Sequence, residues 1–292
     1  MNALVFGCNG YIGRHLSYFL AKEGWHVENY DVQQTSALCN YTQVDVTDMT
    51  SLINIDFNVD CIFWLSGLTG TMDSFSKPDL FIDTNEKGLV HLLTLLKDRK
   101  QTTRIVFPST RLVYKGIDLP LKEESDKETK TIYAVNKLAC EAYLETFSML
   151  YDIPYTIYRI GVPYGNCFSD PYSYGTIGFF VEKASQGNNI TLYGDGSMKR
   201  TFTYITDLCR QIKDTCTLEE SKNRIFNIGG ETLSLKEAAT VIAAKFKVNI
   251  EYADWPELAL RLESGHTYFD DTAIRQLLCN YKYVLLSHGD WM

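Results

Sequence analysis

Short apolar runs alternate with helical patterns through the first half of the chain. Ala3–Phe6, His26–Tyr30, Asn58–Leu65, Arg104–Pro108 and Tyr155–Ile160 read as strands. Between them, Tyr11–Lys22, Asp83–Lys97 and Thr131–Leu150 carry the spacing of helices. The second of these ends near Lys97, Arg99 and Lys100, cations that suit a helix C-terminus. Strands alternating with helices predict βαβ units, right-handed crossovers and a parallel sheet, so the fold class is α/β. Ligands of such sheets bind at the carboxyl ends of the strands.

After Ile160 the texture changes. Gly161–Gly178 is rich in Gly, Pro, Tyr, Ser and Asn and reads as loop. Glu182–Asn189 reads as a helix end, and Ile190–Tyr193 as a short strand closed by Gly194-Asp-Gly196. Thr206–Leu218 is an expected helix, Arg224–Ile228 a strand, and Ser234–Phe246 a helix with Ser234 as N-cap. Lys122–Lys130 is charge-rich and is expected as a solvated loop. Residues 1–163 form the expected nucleotide-binding domain, with 199–228 packing back onto it. Residues 164–198 and 229–292 form the expected smaller substrate lobe over the mouth of the sheet.

Composition narrows the classes. The 292 residues suffice for a well-buried core, and the formal net charge of −8 argues against nucleic acid or a membrane surface as partner. The opening Met1-Asn-Ala-Leu-Val-Phe-Gly7 reads as a strand rather than a leader, and no apolar run has membrane-spanning length. The eight cysteines lack CxxC spacing, which fits free thiols in a reducing cytoplasm. His15, His26, His91, His266 and His288 are dispersed, so no metal site is expected.

Gly7-Cys-Asn-Gly10-Tyr-Ile-Gly13 is a GxxGxxG turn between a strand and a helix. Glycines allow the sharp turn and the close approach of a pyrophosphate, and the helix N-terminus then presents N–H groups to it. Asp31 ends the second strand at the spacing of a ribose-binding carboxylate. It would repel the additional phosphate of NADP, and Val32–Leu38 holds no Arg or Lys to receive one, so NAD is expected in preference to NADP. Asp45 reads either as an adenine-side contact or as a helix cap.

Tyr133 and Lys137 stand four residues apart in an expected helix, so phenol and ammonium share a face. A cation beside a phenol favours phenolate, which can take a proton from a sugar hydroxyl beside a nicotinamide.

Taken together these residues resemble the extended short-chain dehydrogenase/reductases, specifically the NAD-dependent epimerase/dehydratase family with its Rossmann-type doubly wound sheet. The resemblance rests further on Asn85 in Asp83-Thr-Asn-Glu-Lys-Gly88, Ser109-Thr110, Arg159…Pro163-Tyr-Gly165, Gly194-Asp-Gly196, Arg200–Asp207 and Phe226–Gly229. It implies Tyr133 as acid/base, Thr110 as a partner on the same sugar oxygen, and Lys137 on the nicotinamide ribose. It implies cofactor contacts from Gly7, Asn9, Gly10, Tyr11, Ile12 and Asp31 at one end. Asp45, Val46, Leu65, Ser66 and Ile160 join Tyr133 and Lys137 toward the other. Ser109, Arg111, Tyr164 and Arg200 are the implied substrate contacts, with Arg200 gripping a nucleotide diphosphate; Tyr193 and Asn166 could also line that pocket. A homodimer is implied as well.

The chain departs from the family at Arg111-Leu112, where dehydratases carry an acidic pair, and at Val162, where an Asn is common. Dehydration is therefore disfavoured. The expected function is an NAD-dependent nucleotide-sugar epimerase, acting at C4. The alternatives are an NAD(P)H-dependent 4-keto-6-deoxysugar reductase and a non-catalytic NAD-binding regulatory protein.

Overall fold

The computed structural model describes residues 1–169 and 174–288. A seven-stranded sheet is built from β1 (Asn2–Phe6), β2 (His26–Asp31), β3 (Tyr41–Gln43), β4 (Cys61–Trp64), β5 (Arg104–Thr110), β6 (Tyr155–Ile160) and β10 (Arg224–Asn227). Its order is β10-β6-β5-β4-β1-β2-β3. Within it β1 pairs in parallel with both β2 and β4. The strand order therefore reverses at β1, and the carboxyl ends of β1 and β4 mark the crevice where such sheets take ligands.

Alternation explains the core. Leu4 and Phe6, Ile62 and Trp64, and Ile105 and Phe107 occupy every second position and share one buried cluster. Against them pack Leu89, Leu92, Leu93 and Leu96 of α5 (Gly88–Asp98) and Leu144 of α6 (Ile132–Tyr151). Between β1 and β2 runs α1 (Tyr11–Lys22), with the expected bounds. The short helices α2 (Met49–Leu52), α3 (Thr71–Ser76) and α4 (Pro78–Ile82) carry too few turns for periodicity to reveal. The helix expected over Asp83–Lys97 is not uniform. It opens with a π turn, Asp83–Lys87, which buries Asn85 before α5 continues.

Two compact units divide the chain. The first holds residues 1–113, 131–159 and 212–226; the second holds 114–130, 160–211 and 227–292. This differs from the expected boundaries, since 114–130, 160–163, 199–211 and 227–228 belong to the second unit. Lys122–Lys130 is exposed or half-buried at every position, as expected of a solvated loop, and it is anchored at Leu121 and Glu123. The Leu121 N–H donates to the Tyr268 carbonyl at 2.8 Å, and the Asp270 N–H donates to the Leu121 carbonyl at 2.8 Å. Glu123 accepts from the Asn227 N–H at 2.8 Å.

Within the second unit, β7 (Val162–Tyr164), β9 (Lys199–Tyr204) and β11 (Glu231–Ser234) form one sheet in the order β11-β9-β7. A parallel pair joins β8 (Ile190–Tyr193) to β12 (Ile250–Ala253). The helices α7 (Gly175–Ser185) and α9 (Leu235–Phe246) share a core with Val162, Tyr164, Phe202 and Leu286. Ser234 caps α9 in a reciprocal capping box with Glu237. The expected loop at 161–178 thus contains a buried strand and the start of a helix; its residues 170–173 lie outside the described residues. The helix α8 (Ile205–Thr215) follows β9. Among the described residues no helix is long and apolar enough to cross a membrane, and no group of His, Cys, Asp or Glu could hold a metal ion.

Candidate active site

The glycine turn is fixed by its own backbone. Gly7 has φ +78°, and a β-carbon there would fall 2.6 Å from the Leu65 carbonyl carbon and the Ser66 nitrogen. A β-carbon on Gly13 would fall 2.1 Å from the Gly7 oxygen. Glycine at these positions lets strand, loop and helix close on one another. Gly10 is exposed and forms the N-cap of α1; no side chain caps that turn and no acid lies in it. The helix end is thus suited to an anion such as a pyrophosphate. Burial pushes the Cys8 thiol in this turn up to about 12, so it adds no negative charge.

Asp31, half-buried at the end of β2, accepts the Asn9 N–H at 3.0 Å and the Gln33 N–H at 3.2 Å. One bond per oxygen leaves each with a lone pair for a ribose hydroxyl. The Asn9 side chain accepts from Ser36 Oγ at 2.6 Å and donates to the Thr35 carbonyl at 3.2 Å, which ties the loop after β2 to the glycine turn. Tyr11 and Ile12 open α1 half-buried. These features fit NAD, whose phosphates and adenosine ribose these groups would hold.

Asp45 is exposed, and its carboxylate accepts the N–H and hydroxyl of Thr47 at 2.9 and 2.7 Å. The cap of α2 is Asp48 instead, which accepts the Thr50 N–H at 2.9 Å. Val46 is buried against Gly88, where an added β-carbon would lie 2.9 Å from a Val46 methyl. Leu65 and Ser66 follow β4 half-buried, the Leu65 N–H donating to the Phe6 carbonyl at 2.9 Å. Ile160 ends β6 and is buried.

The strand β5 ends in Ser109 and Thr110, whose side chains leave opposite faces. Thr110 is 7% exposed, and its oxygen accepts the Leu112 N–H at 3.3 Å. Arg111 follows, half-buried, in a 3-10 turn. Thr131 caps α6 by accepting the Ala134 N–H at 3.0 Å. This places Tyr133 in the first turn, half-buried, with Lys137 one turn further on.

Lys137 is 6% exposed. Its Nζ donates to the Pro108 carbonyl at 2.8 Å and lies 4.5 Å from the Phe107 ring centre and 5.9 Å from that of Tyr133. Desolvation pulls its pKa down to about 8, opposed by Cys140 and Glu141. The structure therefore brings Lys137, Tyr133 and the end of β5 together. Beside them Asn85 clamps the loop after β4, accepting the Leu68 N–H at 2.7 Å and donating to the Leu68 carbonyl at 3.1 Å.

Three expected substrate contacts have partners within the chain. Ser109 is buried and donates its hydroxyl to Glu141. Tyr164 is fully buried in the second unit's core and donates to the Val284 carbonyl at 3.0 Å. Arg200 is 2% exposed; it pairs with Glu263 at 2.6 Å and donates to the Gly265 carbonyl. Its guanidinium is thus engaged by Glu263 and Gly265 within the chain. Asp207 anchors the C-terminal segment, accepting the Val284 N–H at 2.6 Å and the Tyr281 hydroxyl at 3.0 Å.

Missed in the sequence was Glu141, whose carboxylate receives Ser109 and a bidentate Arg159 at 3.0 and 2.5 Å. The signal was available: a charged residue four positions after Lys137, on the face of α6 that carries Lys137.

A dinucleotide turn at one end of β1, an acid at the end of β2 and a Tyr-Lys pair beside β5 define a Rossmann-type redox domain of the short-chain dehydrogenase kind. The model of the NAD dependent epimerase/dehydratase family matches residues 3–229. The chain belongs to this family and is an NAD-dependent enzyme of the extended short-chain type. It is 28% identical over 246 residues to a UDP-glucuronate 4-epimerase of Thermodesulfobacterium geofontis, covering 78% of this chain and 74% of that protein. It is 29% identical over 258 residues to a UDP-N-acetyl-alpha-D-glucosaminuronate decarboxylase of Bacillus cytotoxicus, covering 81% and 77%. The crystal structure of the Thermotoga maritima UDP-glucose 4-epimerase with UDP-glucose superposes with TM-score 0.85 at 23% identity, covering 98% of this chain and 96% of that one, which shows the fold.

Proposed function

We propose that this enzyme is a nucleotide-sugar 4-epimerase that uses NAD and the phenol of Tyr133. The observation that carries the reading is the buried Lys137 ammonium, held by the Pro108 carbonyl beside the Tyr133 ring and the end of β5. A cation in a dry setting favours phenolate strongly, because Coulomb attraction there is weakly screened. Tyr133 Oη takes the proton of the sugar hydroxyl, and the Thr110 hydroxyl bonds the same oxygen. When bound, NAD would supply the acceptor for the hydride leaving that carbon and the donor for its return once the keto-sugar has turned its other face. Tyr133 then gives its proton back, so enzyme and cofactor end unchanged. Arg111-Leu112 stands where dehydratases carry an acidic pair, which disfavours loss of water, and two of the relatives above are named 4-epimerases.

The test is to identify the cofactor released from purified protein by heat, then to supply UDP-glucuronate, UDP-glucose and their N-acetylated forms without added NAD. Epimer formation with no net redox supports the reading. Release of carbon dioxide from the uronic acid, or stoichiometric NAD(P)H consumption with a keto-sugar, rejects it.

Two further outcomes follow from the site. Asp31→Ala removes a charged acceptor worth about 1.5–3 kcal/mol. NAD affinity should fall about tenfold to a hundredfold by calorimetry, and the preference for NAD over NADP should shrink. Lys137 holds its charge below about pH 8 and loses it above. Phenolate loses its counter-charge there, so kcat/KM should show an alkaline limb centred near pH 8 that is absent from the residual activity of Lys137→Met.

A further inference from the structure

Lys137 does not stand alone on its helix. Tyr133, Lys137 and Glu141 follow one another at intervals of four along α6. Glu141 is 2% exposed. Its two oxygens take Arg159 of β6 through Nε and Nη2, and one of them also takes the Ser109 hydroxyl of β5. One turn earlier, Lys137 Nζ takes the carbonyl of Pro108, the residue before Ser109. Consecutive residues of β5 are thus tied to consecutive turns of α6, and the next residue is Thr110.

From this geometry we infer that Glu141, locked by Arg159 and Ser109, is a positioning residue that serves as the counter-ion of the Lys137 ammonium and sets the end of β5 against Tyr133. The inference rests on the proposed roles of Tyr133 and Lys137.

The charge on Lys137 responds to every group that faces it. On α6 these are Tyr133, Cys140 and Glu141. From β5 come the Pro108 carbonyl and the Phe107 ring, neither charged. From the π turn, Glu86 accepts from Tyr143 at 3.1 Å and from Asn136, and its charge acts on Cys140 rather than on Lys137. Cys140 is pushed up to about 12 by burial and stays neutral at physiological pH. Glu141 is therefore the carboxylate left to offset desolvation of the ammonium. Remove its charge and the ammonium is less favoured, so the proton leaves at lower pH. Arg159, no longer facing a carboxylate at position 141, pushes in the same direction.

The experiment uses the full chain labelled with [15N]lysine, with the Nζ resonance of Lys137 assigned by its loss in Lys137→Met. The wild-type midpoint is expected near 8. In Glu141→Gln it should fall by about one pH unit or more. In Ser109→Ala, which removes a hydrogen bond but no charge, it should not move. Should Glu141→Gln fail to fold, Glu141→Asp keeps the charge at greater distance and should give a smaller fall. An unmoved midpoint in whichever acid variant folds, or equal movement in Ser109→Ala, overturns the inference. This readout needs no substrate. A chain that turns over no nucleotide sugar would sink the proposed function and leave this result standing; an unmoved midpoint would do the reverse.

Discussion

Tyr133→Phe should lower turnover by about 10²- to 10⁴-fold, the range expected when a positioned proton-transfer group is removed. The change deletes one oxygen and keeps the ring, so the Lys137 ammonium retains an aromatic neighbour at 5.9 Å. Phenylalanine fits a half-buried helix position, and α6 keeps its Thr131 cap, so folding should be unchanged. The groups that would hold the pyrophosphate and adenosine ribose, the Gly7–Gly13 turn and Asp31, lie on other elements. NAD affinity by calorimetry should therefore stay within about threefold, and the loss should fall on kcat with little change in KM. Thr110→Val should cost less, because it removes a partner on the sugar oxygen and leaves the proton acceptor in place. A Tyr133→Phe enzyme retaining a tenth or more of wild-type kcat would remove the phenol from the mechanism. A loss confined to KM would recast Tyr133 as a binding residue.

The sheet was largely legible because buried parallel strands read as continuous apolar runs. Cys61–Trp64 and Tyr155–Ile160 are buried at every position and stand out for that reason. The helix α1 was legible to the residue, since its glycine turn and amphipathic spacing mark both ends. What failed was short or two-sided. Tyr41–Gln43 and Val162–Tyr164 have three residues each, too few to show a period. Leu121 lies in a charged stretch, and only its long-range bonds to residues 268 and 270 reveal a buried connection. The polar side chains divided by partner rather than by type. Lys137 could be placed because helix spacing relates it to Tyr133. The partners of Ser109, Tyr164 and Arg200 could not be read, because Glu141, Val284 and Glu263 lie 32, 120 and 63 residues away. A motif gives a residue's position on a strand or helix; which polar atom meets it there depends on chain that the motif does not contain.

Arg159→Leu should destabilise the protein by about 3–5 kcal/mol, the cost of leaving one member of a buried ion pair alone. Both side chains are 3% exposed, so solvent screening does little to soften the loss. At that size the midpoint of thermal unfolding should drop by roughly 6–20 °C. The pair itself is a weaker source of stability than this number suggests, because burying two charges costs nearly what their attraction returns. The double change Glu141→Leu with Arg159→Leu makes the distinction. It removes both charges, and it leaves the Ser109 hydroxyl without its acceptor, at about 1–3 kcal/mol. The double variant should therefore be more stable than Arg159→Leu alone, and by urea titration the two changes should be strongly non-additive. It should also be poorly active, because the ties that align β5 with α6 and the anion facing Lys137 are gone while the fold persists. Simple additivity of the two losses would mean that Glu141 and Arg159 act on stability separately. A double variant of normal stability and full turnover would mean that the pair supports neither the fold nor the site, and that Lys137 is held by the Pro108 carbonyl alone.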